Sequence, residues 1–264
     1  MTTSIHTPPV VVWKTEARRR PPRAVVLAGG RGTRLAPYTQ VLPKPLMPIG
    51  EHAILEIVIG QLQDSGVTDV SLSVGYLSHL IRAVLDHADG LDVNLSYVHE
   101  PEPLGTAAPL RLIDELDDTF IAMNGDVLTD LDYQAMVAHH IDEGSLLTIA
   151  THRRIVKIDY GVLAVDATGR LRGFEEKPEI STTVSMGIYV FEPAALAYIP
   201  ESGRFDLPDL VQALLDDDQP VGTYAHDGLW FDIGRQEDYA LAAETWLERK
   251  SRSMEHATLY AAAS

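Results

Sequence analysis

Residues 24–48 read AVVLAGGRGTRLAPYTQVLPKPLMP, and this stretch decides the predicted fold. It opens with the apolar run Ala24–Ala28, which is short enough to be a strand buried on both faces. Three glycines follow within residues 29–32, where the backbone can turn sharply and approach a ligand without Cβ clashes. Because bare N–H groups in such a loop form a concave anion site, the stretch predicts a strand that leads into a phosphate-binding loop.

A rigid basic segment follows the glycine loop. Arg34 and Lys44 add positive charges to it. The segment also contains four prolines, which restrict its backbone: Pro37, Pro43, Pro45 and Pro48. The combination predicts a site for a triphosphate, whereas the glycines alone are also compatible with a plain tight turn. Two common phosphate loops do not fit, because the dinucleotide fingerprint needs Gly or Ala where Leu35 stands and the Walker loop needs Gly-Lys after its glycines.

The bulk composition of the 264-residue chain narrows its class. Hydrophobic residues make up 45% of it, which is ample for one large α/β domain or two small ones. The absence of cysteine excludes disulfides and thiolate metal sites, and no apolar run approaches the roughly 18 residues of a membrane span. The net charge of −17 argues against non-specific nucleic-acid binding. No basic region precedes the first apolar run, so we expect no signal peptide and take the cytoplasm as the default location.

Strand and helix patterns alternate after the glycine loop. Repeated β–α units with short links predict a mainly parallel sheet with helices on both faces, and such sheets bind ligands beyond the carboxyl ends of their strands. The predicted helices are 51–63, 77–88, 106–116, 133–142, 207–215 and 237–248. The further predicted strands are 69–74, 93–98, 120–123, 145–150, 184–191, 221–224 and 229–231, with a hairpin at 162–165 and 171–175. We expect one domain at 23–250 with a nucleotide lobe and a sugar lobe, a flexible extension at 1–22 and a loose tail at 251–264.

The full pattern of residues 29–48, G-G-x-G-T-R-L-x-P-x-T-x-x-x-P-K-P-L-x-P, resembles the signature of the sugar-1-phosphate nucleotidyltransferases. That family includes mannose-1-phosphate guanylyltransferases and glucose-1-phosphate thymidylyltransferases, and the resemblance continues to about Tyr239. It implies a three-layer, Rossmann-like nucleotidyltransferase (GT-A-like) α/β fold with a mainly parallel mixed sheet. It also implies that the nucleotide is bound by Leu27, Ala28, Gly29, Gly30, Gly32, Thr33, Arg34, Gly105 and Thr106.

Residues 100–107, EPEPLGTA, follow one predicted strand and precede a predicted helix. Thr106 fits the N-cap of that helix, so the stretch taken alone is equally compatible with a plain capped loop. In the family, a P-L-G-T-A motif lies against the nucleobase and sugar. The resemblance therefore implies that Gly105 binds the nucleotide and that Leu104 or Glu102 touches the base.

Two carboxylates are candidates for a Mg2+ site. Asp126 follows the strand 120–123, where a carboxylate suits Mg2+, although a turn or helix cap is the simpler interpretation of this residue alone. The N-G-D sequence there and the later W-F-D-I-G resemble family motifs, which implies that Asp126 and Asp232 both bind the metal. Asp130 and Asp132 form a D-x-D sequence of the kind that binds metal in glycosyltransferases, and the cap of the following helix is its main alternative.

Two further segments are assigned to the sugar phosphate by resemblance. The sequence E-K-P at 176–178 would ordinarily be solvated surface, but in the family its Glu binds sugar hydroxyls and its Lys meets the sugar phosphate. V-S-M-G-I-Y at 184–189 resembles V-N-A-G-I-Y, with Ser185 in place of Asn. A hydroxyl cannot accept a hydrogen bond at one atom and donate from another, as an amide does. Ser185 therefore argues against an ordinary mannose or glucose as the sugar. The implied sugar-phosphate-binding residues are Asn124, Gly125, Glu176, Lys177, Ser185 and Gly187.

The implied chemistry needs positioned charge and no general base. A sugar 1-phosphate, with a second pKa near about 6, is already largely a dianionic nucleophile at pH 7. The barrier therefore lies in bringing two polyanions into line. Arg34, Lys44 and Asp126 are the predicted catalytic residues, with Mg2+ held by Asp126 and Asp232 and with Lys177 aiming the incoming phosphate. These side chains are expected to converge, with Lys177 turned toward the glycine loop.

The expected partners are an NTP, with GTP favoured, and a mannose- or heptose-like sugar 1-phosphate. Thymidylyl or uridylyl transfer to a hexose 1-phosphate is the alternative within the family. A glycosyltransferase would need a metal at the D-x-D sequence and an acceptor groove. A non-catalytic nucleotide sensor would have lost one of the charged residues, all of which this chain retains. The oligomeric state stays open, with a homo-oligomer as one option.

Overall fold

The computed structural model describes residues 22–30, 32–234, 238–246 and 248. The helices are α1 (Ile54–Asp64), α2 (Ser78–Leu85), α3 (Tyr133–Glu143), α4 (Leu207–Asp216) and α5 (238–246). The strands are β1 (Ala24–Ala28), β2 (Pro48–Ile49), β3 (His52–Ala53), β4 (Asp69–Val74), β5 (Asn94–His99), β6 (Phe120–Asn124), β7 (Val127–Thr129), β8 (Leu147–Lys157), β9 (Gly161–Val165), β10 (Leu171–Glu176), β11 (Glu179–Phe191), β12 (Val221–Ala225) and β13 (Trp230–Asp232). Of the extension predicted at 1–22, only Pro22 is described, and it is buried. The tail predicted at 251–264 and the predicted start of the last helix at Glu237 lie outside the described residues. None of the described helices has the length and hydrophobicity to cross a bilayer.

The central sheet has seven strands in the order β12-β8-β11-β6-β1-β4-β5. β11 runs antiparallel to both of its neighbours, and the other pairs are parallel. This confirms the predicted mainly parallel mixed sheet. β1 lies between β6 and β4, with Val25 in the apolar core on one face of the sheet and Val26 in the core on the other. Both faces are covered, which explains why its sequence is an uninterrupted apolar run.

α1 begins later than predicted. The residues assigned to its first turn instead form a small hairpin, in which Pro48 of β2 pairs with Ala53 of β3 around Gly50 at φ +64°. The carboxylate of Glu56 accepts a hydrogen bond of 2.5 Å from the Ala53 N–H. The helix therefore starts at Ile54, where this carboxylate satisfies a backbone donor at its N-terminus.

The prediction of a helix at 106–116 is wrong, since only a short 3-10 helix forms at Ala108–Leu112. The N–H groups of Ala107 and Ala108 donate to the carbonyl of Phe205, at 3.0 and 3.1 Å. At the other end Glu115 has φ +61°, a left-handed conformation that ends helical structure. Thr106 also does not cap this helix, because its hydroxyl accepts a hydrogen bond of 2.8 Å from the Leu207 N–H at the start of α4.

β8 and β11 are longer than predicted because their outer halves continue as a two-stranded ribbon beyond the sheet. Glu179 pairs with Lys157 at the end of this ribbon, and the register shifts between Ser185 and Tyr189, where the ribbon joins the sheet. The hairpin predicted at 162–165 and 171–175 is confirmed by the antiparallel pair β9–β10. The outer halves of both strands are exposed, so they lack the buried apolar pattern from which the inner halves were predicted.

Candidate active site

A cavity of about 390 Å³ lies beyond the carboxyl ends of β1, β5 and β6. Its position agrees with the general rule for parallel sheets. Several sequence-predicted nucleotide and catalytic residues are brought together around it. Its lining comprises Leu27, Ala28, Gly29, Gly30, Gly32, Arg34, Lys44, Pro45, Glu100, Pro103, Gly105, Thr106, Asn124, Asp126, Arg204 and Asp206.

Lys44 lies between the two predicted metal carboxylates. Its buried ammonium group contacts the carboxylate of Asp126 and lies 3.6 Å from Oδ1 of Asp232. The two aspartates come together because β13 pairs antiparallel with β7, so that Asp232 lies opposite Val127. The Ile233 N–H also donates to the Asp126 carbonyl at 3.1 Å. The expected convergence of Lys44, Asp126 and Asp232 is therefore present.

Burial raises the pKa of the Asp126 carboxyl above its usual range, an effect that neighbouring Asp232 reinforces and the Lys44 ammonium opposes. Two carboxylates this close repel each other when both are ionised. The pair therefore needs a cation beside it, and the Lys44 ammonium supplies one.

The glycine loop packs directly on the stem of Lys44. Gly32 has φ +60°, and a Cβ on it would lie 3.0 Å from both the Lys44 Cβ and the Thr39 Cγ2. The Thr39 hydroxyl donates a hydrogen bond of 2.8 Å to the Gly32 carbonyl. Both this conformation and this space favour glycine, so the loop packs closely against the lysine stem.

Arg34 belongs to the short 3-10 helix Thr33–Leu35, which buried Leu35 anchors to the core. A Cβ on Gly234 would lie 3.5 Å from Nη1 of Arg34 and 3.4 Å from Oδ1 of Asp232. The guanidinium group and this carboxylate therefore both border Gly234. Thr33 is exposed next to Arg34, and its nucleotide role stays a prediction.

The loop at Gly105 is clamped to a segment one hundred residues further along the chain. Gly105 has φ +92°, and a Cβ there would lie 2.6 Å from the Phe205 carbonyl oxygen and 2.7 Å from Oδ1 of Asp206. The Thr106 N–H donates to the same Asp206 oxygen at 3.0 Å, and Arg204 forms an ion pair with Asp206 at 3.0 Å. The sequence offered no signal for Arg204 or Asp206, because their role depends on this long-range contact.

We expect Gly105→Ala to lower the free energy of unfolding by about 2 kcal/mol, because alanine is strained at this φ and its Cβ collides with backbone. The matched control is Gly60→Ala in α1, where nothing lies within 4 Å of the added Cβ and alanine favours the helix. Denaturant unfolding monitored by circular dichroism measures both changes. Equal stability of Gly105→Ala and the unmodified chain would contradict the clamped loop.

Glu100 is a cavity residue to which the sequence reasoning assigned no role. Its Oε1 accepts a hydrogen bond of 2.7 Å from the Ser73 hydroxyl, and a Cβ on Gly29 would collide with the same oxygen. The side chain is thus buried against the glycine loop, whereas Glu102 is exposed and Leu104 is buried. Its position directly after β5 was the available signal, since residues at strand carboxyl ends face the ligand.

Asn124 connects the cavity to the segment 184–189 of β11. Gly187 has φ +74°, and a Cβ on it would lie 2.5 Å from Nδ2 of Asn124. Gly125 packs against β1, where a Cβ would lie 3.1 Å from Val26 Cγ1. The Ser185 hydroxyl lies 3.1 Å from the Tyr189 hydroxyl and accepts a bond of 3.3 Å from the Gly187 N–H. The sugar contacts of these residues stay predictions.

Glu176, the last residue of β10, and Lys177, which follows it, are both exposed, and Lys177 has φ +49°. Neither is among the described residues that line the cavity. Lys177 therefore does not join Lys44 and Asp126 in the cavity lining. Its role toward the sugar phosphate, and that of Glu176, stay predictions.

The D-x-D sequence has structural contacts. Asp132 is the N-cap of α3 and accepts a hydrogen bond of 2.9 Å from the Ala135 N–H. Asp130 accepts from the Leu229 N–H at 2.6 Å and lies 2.9 Å from Nε2 of His226. No group of three or more His, Cys, Asp or Glu side chains suited to a metal occurs in the part of the chain that the structure describes. The cap interpretation of Asp132 is therefore confirmed.

Comparison with known proteins agrees with this geometry. The sequence profile of a family described as nucleotidyl transferase matches residues 23–249. The chain belongs to this family. The match covers the glycine loop, Lys44 and both metal-candidate aspartates, and it confirms the family that the motifs indicated.

Among the relatives of this chain, a UTP–glucose-1-phosphate uridylyltransferase of Synechocystis is 33% identical over 254 residues, covering 88% of this chain and 65% of that protein. The mannose-1-phosphate guanylyltransferase catalytic subunit beta of Xenopus tropicalis is 34% identical over 225 residues, covering 82% of this chain and 62% of that protein. The chain therefore spans somewhat less than two thirds of the length of these relatives. The crystal structure of HddC from Yersinia pseudotuberculosis matches with a TM-score of 0.67 and 26% identity, covering 85% of this chain and 99% of the HddC chain. A second similar structure is HddC in complex with GMP-PN.

Proposed function

We propose that this nucleotidyl transferase moves a nucleoside monophosphate from GTP to a sugar 1-phosphate and releases pyrophosphate. The observation that carries the proposal is the buried Lys44 ammonium, held between Asp126 and Asp232 beside the glycine loop. Retention of both carboxylates and both basic residues, Arg34 and Lys44, distinguishes a catalytic site from a nucleotide sensor. Asp130 and Asp132, the carboxylates that a glycosyltransferase would use for its metal, already accept hydrogen bonds from the Leu229 and Ala135 N–H groups, which favours the transferase over this alternative.

In this reaction the sugar phosphate attacks the α-phosphate of the NTP, forming a new P–O bond as the bond to pyrophosphate breaks. Backbone N–H groups of the glycine loop bind the triphosphate. Arg34 and Lys44 stabilise the negative charge that moves onto the departing pyrophosphate, and fixed positive groups are most effective where they need not reorganise. Alignment of the two reactants supplies on the order of 7–11 kcal/mol in favourable cases.

The donor set fits Mg2+. Asp126, which lines the cavity, and Asp232 offer hard carboxylate oxygens, and both approach the Lys44 ammonium, which is evidence that this point favours a cation. Mg2+ is typically held by one or two carboxylates together with substrate phosphates. When bound, the ion neutralises phosphate charge and orients the reacting groups.

Preference for GTP is supported by Glu100. An ionised carboxylate only accepts hydrogen bonds, and guanine presents two adjacent donors, N1–H and the 2-amino group. Uracil and thymine offer one N–H between two carbonyl oxygens, which a carboxylate would repel. Glu100 lies in the cavity between Gly29 and the 100–107 loop. The HddC complex with GMP-PN gives independent support for a guanine nucleotide.

Uridylyl transfer to glucose 1-phosphate is the second candidate, favoured by the Synechocystis relative. A grid of GTP, UTP, dTTP, ATP and CTP against mannose, glucose and heptose 1-phosphates, with Mg2+ and detection of pyrophosphate, separates the candidates. The highest kcat/KM is expected with GTP. Pyrophosphate release with UTP alone would replace the first candidate by the second, and release with no pair would refute transfer to any of these sugar phosphates.

We expect Glu100→Gln to lower the GTP/UTP ratio of kcat/KM by about tenfold or more, because an amide replaces one of the accepting oxygens by a donor. Glu102→Gln is the matched control in the same loop, and its exposed side chain should leave the ratio unchanged. Steady-state kinetics with both nucleotides measure the ratio. A ratio that moves equally in both variants would rule out base recognition by Glu100.

A further inference from the structure

The Asp232 carboxylate is carried to the site by a very short strand. β13 has three residues and pairs, among the described residues, only with the three residues of β7. The register places Asp232 opposite Val127, and beyond it the Ile233 N–H donates to the Asp126 carbonyl at 3.1 Å. Because successive side chains of a strand point to opposite faces, a slip of one residue would turn Asp232 away from Asp126. A two-stranded ladder this short is weak by itself, so its register depends on contacts at both ends.

The far end of this ladder is held by Asp130, which follows β7 directly. Its Oδ1 accepts a hydrogen bond of 2.6 Å from the Leu229 N–H and lies 2.9 Å from Nε2 of His226. The Leu229 carbonyl in turn accepts hydrogen bonds from the Asp130 N–H at 3.2 Å and from the Thr129 hydroxyl at 2.8 Å. Both backbone groups of Leu229, the residue before β13, are therefore bound by the end of β7.

The turn at 226–229, which leads from β12 into β13, closes around this carboxylate. The His226 N–H donates to the Thr151 carbonyl of β8 at 2.8 Å, so the turn begins on the central sheet. A Cβ on Gly228 would collide with Oδ1 of Asp130, because the turn passes too close to the carboxylate for a side chain. The His226 and Asp130 side chains are 13 and 25% exposed, so water competes little for their contacts.

Asp130 is too far from the cavity to touch a substrate. It follows Asp126 along the extended strand β7, at a separation of about 13 Å for a strand of this length. It is not among the described residues that line the cavity. Any effect of Asp130 on the reaction must therefore pass through the turn and β13, the strand that ends at Asp232.

We propose that Asp130 and His226 are positioning residues for Asp232. By holding the turn, they fix the register of β13 against β7, and this register keeps the Asp232 carboxylate beside Asp126 and Lys44. The effect on β13 follows from these contacts alone. The effect on turnover rests on the proposed function, in which Asp232 binds Mg2+, and groups that orient a metal ligand commonly change metal affinity by about 10–100-fold.

Hydrogen exchange tests the effect on β13 without any substrate. Asp130→Ala removes the acceptor, so the backbone amides of residues 229–233 should exchange about tenfold faster or more than in the unmodified chain. Asp130→Asn retains an oxygen for the Leu229 N–H and should recover most of the protection. Asp132→Ala is the matched control: it removes the N-cap of α3 and should speed exchange only in the first turn of that helix. Unchanged exchange at 229–233 in Asp130→Ala would overturn the inference.

A Mg2+ titration of turnover separates positioning of Asp232 from a general structural role. In Asp130→Ala and in His226→Ala, the Mg2+ concentration for half-maximal pyrophosphate release should rise by about tenfold or more. Combining the two substitutions should add little, because both residues act on the same turn. Asp132→Ala should keep the Mg2+ requirement of the unmodified chain, and circular dichroism shows whether each variant is folded.

Two outcomes of the titration would overturn the inference: an unchanged Mg2+ requirement in Asp130→Ala and His226→Ala, or an equal rise in Asp132→Ala. Failure of the proposed function gives a different result, since the unmodified chain would then release no pyrophosphate with any pair of substrates. In that case hydrogen exchange at 229–233 alone decides whether Asp130 holds β13 in place.

Discussion

Arg34→Ala is expected to lower turnover by about 10²–10³ without disturbing the fold, since one electrostatic donor at a reacting phosphate is commonly worth this much. Arg34 is exposed on a short 3-10 helix whose anchor is Leu35, so its removal leaves no buried cavity. Its guanidinium group borders Gly234, as does the carboxylate of Asp232, the proposed Mg2+ ligand. The loss should fall mainly on kcat, because the charge that Arg34 stabilises is largest in the transition state.

Pyrophosphate release under saturating substrates measures the effect, with thermal unfolding as the check on folding. Arg82→Ala on α2 is the control, since Arg82 lies over the Tyr97 ring and does not line the cavity. Arg34→Lys should retain part of the lost activity, because charge persists while the forked contact with phosphate is lost. Near-normal turnover of Arg34→Ala would remove Arg34 from the mechanism.

The part of the fold predictable from sequence is the part decided by local pattern. β1 was predictable because an uninterrupted apolar run requires cover on both faces, and Val25 and Val26 indeed enter opposite cores. The span of β4, Asp69–Val74, agrees with the prediction residue for residue. The hairpin at β9–β10 followed from its turn sequence, Asp166 to Gly169, where the Thr168 N–H donates to the Asp166 carboxylate at 2.9 Å.

The errors occur where distant segments decide the local conformation. The apolar spacing after Thr106 favours a helix. Instead, the N–H groups of Ala107 and Ala108 donate to the Phe205 carbonyl, and the Thr106 N–H donates to the Asp206 carboxylate. A sequence pattern contains no information about which loop, one hundred residues away, will supply these partners. The same long-range contact makes Arg204 and Asp206 part of the cavity lining, which is why no motif pointed to them.

The candidate site was predictable in its residue types and only partly in its geometry. Family resemblance pointed to Lys44, Asp126 and Asp232, and the β7–β13 pairing brings them together. Resemblance also pointed to Lys177, yet this residue lies at the base of an exposed hairpin, away from the cavity lining. The outer parts of β8 and β11 form a ribbon that carries this hairpin beyond the sheet. The E-K-P motif alone therefore did not determine how near Lys177 lies to the glycine loop.

Lys44→Met is expected to lower both turnover and stability, because the same ammonium group serves the substrate phosphates and the two aspartates. Methionine keeps the apolar stem of the side chain. It removes the ammonium group that contacts the buried Asp126 carboxylate and the neighbouring Asp232 carboxylate. Removing one partner of a buried ion pair costs on the order of 3 kcal/mol. Denaturant unfolding should show this loss, and pyrophosphate release should fall by about 10²-fold or more.

The double variant Lys44→Met with Asp126→Asn separates the two effects. Since asparagine carries no charge, it should recover most of the lost stability, and the coupling energy of the cycle measures the ion pair. Turnover should stay low, because the reaction needs both charges. Lys157→Met is the control: it breaks an exposed pair with Glu179 at 2.7 Å, where solvent already screens both charges, so stability should hardly change. A double variant as unstable as Lys44→Met would mean that the lysine stem and not its charge stabilises the site.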